Sequence, residues 1–124
     1  MIGGRVLDVS ALVGFAAQRS VYAVALVWTA VEESIVLVLP STAVGAAWAE
    51  LEDKHHAVLD VLLALPVTVV DAFDVERART VGLLGGAQLD AHAGACARER
   101  GWPLVTAEPA RYAAFEGVDI EPLP

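Results

Sequence analysis

Cysteine is almost absent from this chain of 124 residues: Cys96 stands alone. No intrachain disulfide can form, and the composition fits a reducing compartment. Positive charge is also scarce. Lys54 is the only lysine, and eight basic side chains face sixteen acidic ones, for a formal net charge of −8. This balance excludes a broad basic face for non-specific capture of nucleic acid. It leaves open carboxylates bridged to phosphate by metal ions, and binding of a basic partner. Long hydrophobic runs are missing too: the longest, Val21 to Val31, has about half the length a bilayer span needs and ends at Glu32-Glu33. The opening Met1-Ile2-Gly3-Gly4-Arg5 carries no secretory pattern and runs directly into a strand-like segment. A soluble cytoplasmic protein with no membrane partner is expected. No repeat, low-complexity tract or linker interrupts the chain. With no phosphate-cradling glycine motif after the first strand and no lysine after the fourth, a receiver or nucleotide-binding domain fits poorly.

What is present is a chain with 56% hydrophobic and 19% charged residues, the balance of a packed globule of one domain over 1–124. Short apolar runs over 5–8, 35–39, 67–70 and 103–106 read as buried strands, with an edge strand over 118–120. Helical patterns fill 10–18, 20–33, 41–53, 54–65, 75–84, 90–100 and 110–115. Ser20 and Ser41 read as N-caps, and Gly85-Gly86 as a loop or hinge within the domain. Continuous apolar strands alternating with helices specify a three-layer α/β/α sandwich around a mostly parallel sheet of four to five strands.

In such sheets ligands gather beyond the carboxyl ends of the strands. Asp8 ends the first strand and Glu108 follows the fourth by two residues. Asp90 opens the helix leading into that strand. A helix packed antiparallel to the strands is expected to begin near their amino ends, which does not place Asp90 beside Asp8. Grouped carboxylates suit Mg²⁺ or Mn²⁺, which take oxygen ligands and can activate water for phosphodiester hydrolysis. Each residue also has a plainer role: Asp8 and Ser10 as cap or turn residues, Asp90 at the positive end of its helix, Glu108 in a solvated loop.

Taken together, Val6-Leu7-Asp8-Val9-Ser10-Ala11-Leu12, the Asp90-Ala91-His92-Ala93 helix start and Gly101-Trp102-Pro103-Leu104-Val105-Thr106-Ala107-Glu108 resemble the PIN domain family. That family includes the toxin ribonucleases of VapBC toxin–antitoxin systems. The resemblance covers nearly the whole chain and implies a PIN-like fold that brings these positions together. It implies Asp8, Asp90 and Glu108 as ligands of Mg²⁺ or Mn²⁺, Ser10 as the hydroxyl supporting Asp8, and RNA as substrate. It further implies a homodimer and a cognate antitoxin protein. The family's glutamate after strand two falls on Ala46. Glu50, one turn later on the same helix face, is read as a solvated residue first and a substitute ligand second. Two functions follow: a metal-dependent endoribonuclease, or a catalytically degenerate PIN-like domain that binds protein or RNA.

The remaining residues are read structurally. His55-His56 is expected to be solvated, His92 to pack against the neighbouring strand, and Cys96 to fill the core. Trp28, Trp48 and Trp102 are expected in the core, with a partner interface as the alternative.

Overall fold

The protein is described by a computed structural model that covers residues 3–124; Met1 and Ile2, at the start of the segment read as running into the first strand, lie outside the described residues. Five strands form one sheet: β1 (Gly4–Leu7), β2 (Val36–Pro40), β3 (Thr68–Asp71), β4 (Leu104–Thr106) and β5 (Ile120–Pro122). All pairs are parallel, in the order β3-β2-β1-β4-β5. Val6 sits opposite Val38 on one side and Leu104 on the other. Six helices connect the strands: α1 (Val9–Ala16), α2 (Val21–Glu33), α3 (Ser41–Glu50), α4 (Asp53–Ala64), α5 (Val75–Leu84) and α6 (Gln88–Arg100).

Alternation along the strands divides the core. Leu7, Leu37, Leu39 and Val105 point to the layer built by α1 to α4, with Leu12, Phe15, Val27 and Leu59. Val6, Val38 and Leu104 point to the opposite layer, with Ala93, Cys96 and Ala97 of α6. α5 is laid on α6 through Val81, Ala91 and Ala95. A period of two on each strand therefore produces the three layers. The small residues of α6 let that helix lie close to the sheet. Gly4 permits another close approach: a Cβ there would lie 2.2 Å from the Trp102 ring.

Strand order locates the functional edge. From β1 the chain moves outward to β2 and β3 with helices on one face; β4 lies on the other side of β1, and the helices leading to it cover the opposite face. The topological switch point is therefore between β1 and β4, where doubly wound sheets bind ligands.

Several expectations are corrected. α6 begins at the carboxyl edge of the sheet, because a strand's carboxyl end is where the chain turns back; an antiparallel helix starts there, not at the amino ends. Asp90 occupies the first turn of α6, which starts two residues earlier at Gln88. Pro40, not Ser41, occupies the N-cap of α3, and the Ser41 hydroxyl instead accepts from the Phe73 N–H at 2.9 Å. α3 stops at Glu50, short of Asp53, since Leu51 turns extended and buries its side chain. Trp28 and Trp48 are not core residues, being 48% and 39% exposed. His56 is not simply solvated: its ring stacks on Trp48 with centroids 4.1 Å apart, and Nε2 meets the Trp48 carbonyl at 2.9 Å. Among the described residues no single helix is long and apolar enough to cross a membrane.

Candidate metal centre

Asp8 follows β1 directly and caps α1. Its Oδ1 accepts the Ala11 N–H at 3.1 Å and the Ser10 hydroxyl at 2.6 Å. The cap role and a place in the site therefore coexist. Oδ2 accepts the Tyr112 hydroxyl at 2.8 Å, so both oxygens of a carboxylate only 4% exposed are fixed. Burial first, then the charge of Asp8, pushes the Tyr112 hydroxyl far above its usual pKa, so Tyr112 is a donor at any physiological pH.

Ser10 joins the two strand ends. Besides donating to Asp8, its Oγ lies 3.3 Å from Thr106 Oγ1 and accepts the Ala107 N–H at 2.8 Å. Thr106, the buried last residue of β4, accepts the Glu108 N–H at 2.9 Å. The loop carrying Glu108 is thus tied to the loop carrying Asp8 through two hydroxyls.

Asp90 comes in from the opposite layer. With Asp8, Ala43, Leu89, Arg111 and Tyr112 it lines a cavity of about 10 Å³, room for one water or ion. Arg111 lies in the 3₁₀ turn Pro109–Tyr112. Its Nη1 donates to Glu108 Oε2 at 2.8 Å, and Nη2 is 2.9 Å from Asp90 Oδ1. The second contact supplies charge without a well-directed N–H, so the buried Asp90 Oδ1 has no hydrogen-bond donor. The hydrogen bond to Glu108 and the nearby Asp90 hold the guanidinium even more firmly charged than usual.

A second cavity, about 400 Å³, opens beside the first and is lined by Ser10, Arg19, Glu50, Glu108, Arg111 and Leu123 among others. Glu50 is exposed on its wall, away from the small cavity. α3 turns Ala43, not a carboxylate, toward Asp8 and Asp90, and Ala46 is half-buried. Asp8 and Asp90 therefore share the small cavity, while Ser10, Glu108 and Glu50 line the larger one beside it, with Glu108 joined to Asp90 through Arg111.

The donor set suits a hard divalent cation. It is all carboxylate oxygen, partly buried, with one oxygen lacking a donor, which matches the preference of Mg²⁺ and Mn²⁺. Neighbouring carboxylates need positive charge, and Arg111 supplies it to Asp90 and Glu108.

A second polar cluster lies under β3. Asp71 receives Arg77 Nε at 3.0 Å and Nη2 at 2.9 Å, Arg100 Nη2 at 3.2 Å and His92 Nε2 at 2.8 Å. His92 Nδ1 is 2.7 Å from the Thr42 hydroxyl. His92 is thus a buried hydrogen-bonding link, not a packing residue against the strand. Burial pushes Asp71 toward protonation, but His92, Arg77 and Arg100 together hold its pKa below the usual carboxylate range. Donor atoms of Asp71, His92 and Cys96 lie within 4.8 Å of one another. Two guanidiniums already compensate Asp71, however, and burial with the Asp71 charge lifts the thiol pKa to about 12. This cluster is built to join β3, α5 and α6, and a further cation there would face two like charges.

No protein-family model matches the sequence, and no curated protein matches it. Solved structures do match. A chain of VapBC2 from Rickettsia felis, bound to a DNA fragment from their promoter, superposes with a TM-score of 0.70 at 12% identity, covering 98% of this chain and 99% of that one. DNA-bound VapBC from Salmonella typhimurium gives 0.73 at 16% identity, with 98% of each chain covered. The fold is shared with these chains of VapBC complexes and is PIN-like. PAE2754 from Pyrobaculum aerophilum shares it at a TM-score of 0.60 and 20% identity, over 95% of this chain and 83% of that one. The PIN-like fold places the segments that carry Asp8, Asp90 and Glu108 at one edge of the sheet.

Four residues of the site escaped the sequence reading: Arg19, Thr106, Arg111 and Tyr112. Thr106 was visible within the closing motif. Arg111 stands three residues after Glu108, the spacing at which opposite charges meet on a helical turn. Tyr112 and Arg19 left no local signal.

Proposed function

We propose that the chain is a single PIN-like domain over 1–124 acting as a metal-dependent endoribonuclease, the toxin of a cytoplasmic toxin–antitoxin pair. The observation that carries this reading is the grouping at the switch point of Asp8 and Asp90, which line one small cavity, with Glu108, joined to Asp90 through Arg111. Asp8, Asp90 and Glu108 would hold Mg²⁺ or Mn²⁺, with Glu50, on the wall of the larger cavity, as a candidate fourth carboxylate. When bound, the ion supplies an activated water and shields charge developing on an RNA phosphodiester. Ser10 and Tyr112 keep Asp8 from rotating, so the remaining lone pair of Oδ2 is held in a fixed direction. The 400 Å³ cavity offers the substrate a wall carrying Arg19 and Arg111. The likeness to chains of VapBC complexes supports a cognate antitoxin as partner, and the resemblance to the PIN family implies a homodimer.

A second reading is favoured by α3, which turns Ala43 toward the acids and carries alanine at 46. Here the domain is catalytically degenerate and binds RNA or a protein partner. Mn²⁺ titration with an RNA cleavage assay separates the two. Under the first reading wild type binds Mn²⁺ and cleaves, and Asp8→Asn abolishes both. Under the second, cleavage appears only after Ala46→Glu. Wild type that binds no Mn²⁺, together with cleavage unchanged in Asp8→Asn, would sink the nuclease mechanism.

A further inference from the structure

Positive charge in the acid cluster is concentrated in one side chain. Arg111 places Nη1 2.8 Å from Glu108 Oε2 and Nη2 2.9 Å from Asp90 Oδ1. One guanidinium thus faces two of the three carboxylates assigned above as metal ligands. A divalent ion needs the same oxygens and carries charge of the same sign, so the two compete.

The surroundings allow Arg111 to leave. Its side chain is 42% exposed, and it lines both the 10 Å³ cavity between the acids and the 400 Å³ cavity outside. Rotation of the side chain alone would carry it from one to the other. The backbone need not follow, since Tyr112 next door is anchored to Asp8 at 2.8 Å. Across the larger cavity stands Arg19, for which no carboxylate partner is found among the described residues.

We propose that Arg111 is the resident counter-cation of the acid cluster, exchanged for the divalent ion on metal loading and turned into the 400 Å³ cavity, where it and Arg19 face a substrate phosphate. The inference rests on the metal-dependent reading of the site. It makes Arg111 a positioning residue: it keeps Asp90 and Glu108 together while no ion is bound, and it lowers the affinity for the ion that displaces it.

Calorimetric titration with MnCl₂ at fixed ionic strength, on wild type, Arg111→Gln, Arg19→Gln and Asp8→Asn, tests the exchange. Arg111→Gln and Arg19→Gln each remove one positive charge from the cavity wall, but only the first removes the competitor. Arg111→Gln is expected to bind Mn²⁺ about tenfold more tightly than wild type, the worth of two partly exposed ion pairs. Arg19→Gln is expected to stay within about twofold of wild type, its charge being screened by salt. Asp8→Asn should lose binding. Should Arg111→Gln fail to fold, Arg111→Lys, which keeps the charge but not the two-pronged contact, is expected to show a smaller gain. Equal or weaker binding without Arg111, or an equal gain in Arg19→Gln, overturns the exchange and leaves the metal-dependent reading standing. No Mn²⁺ binding by any variant overturns both.

Discussion

Asp8 illustrates how one side chain serves structure and site together. The Ala11 N–H and the Ser10 hydroxyl occupy both lone pairs of Oδ1, whereas the Tyr112 hydroxyl occupies one of Oδ2 and leaves a further lone pair there. The Tyr112 bond matters because it joins a neutral donor to a buried charge, a class worth about 1.5–3 kcal/mol. Tyr112→Phe keeps the ring against Phe115 and removes only this bond. It is expected to lower unfolding stability by about 1.5–3 kcal/mol, read from the urea midpoint at neutral pH. The difference should hold at alkaline pH below about 10, because the raised pKa of Tyr112 keeps it protonated in the folded state; the contribution is lost only once the pH climbs beyond the range of free tyrosine. An unchanged midpoint would show that Asp8 is held by Ser10 and Ala11 alone.

At the scale of elements, strands and helices were largely legible because their signals are local. Apolar runs marked β1 to β4, Ser20 marked the start of α2, and Gly85-Gly86 marked the break before α6. The failures share a cause: they depend on contacts distant in sequence. Ser41 lost its expected cap role to the Phe73 N–H, 32 residues away. His92 read as packing because its partners, Asp71 and Thr42, belong to other elements. Asp90 was legible as a site residue only through family resemblance, although the antiparallel rule, correctly applied, places it at the carboxyl edge. The Asp71 cluster is the clearest case, since it fastens β3, α5 and α6 together. Asp71→Asn leaves Arg100 without its ion pair and Arg77 with Glu99 alone, and is expected to cost on the order of 3 kcal/mol at neutral pH. A carboxyl held below its ordinary pKa contributes stability above the unfolded value and loses it as the pH falls through the folded one. The gap between wild type and Asp71→Asn should therefore be full at pH 6–7 and close as the solution is acidified into and below the carboxylate range. A gap independent of pH would mean that packing, not the ion pairs, binds these elements.

For the molecule as a whole, the net charge of −8 sets the terms on which it can meet RNA. Two polyanions repel, so attraction must be local and must come from the ion at the acids and the arginines beside it. Among the described residues, Arg19 and Arg111 are the cationic side chains that line the 400 Å³ cavity. At about 0.7 per phosphate for single strands, two contacts correspond to a slope of roughly −1.4 in log affinity against log salt. Filter binding of an uncleavable single-stranded RNA analogue to wild type is expected to show little retention in EDTA. Retention should rise when Mn²⁺ is added and weaken gently with NaCl along that slope. Strong retention in EDTA, or a slope steeper than about −4, would mean that RNA is held by a basic surface outside this cleft. The acids would then no longer be the feature through which an acidic protein reaches its substrate.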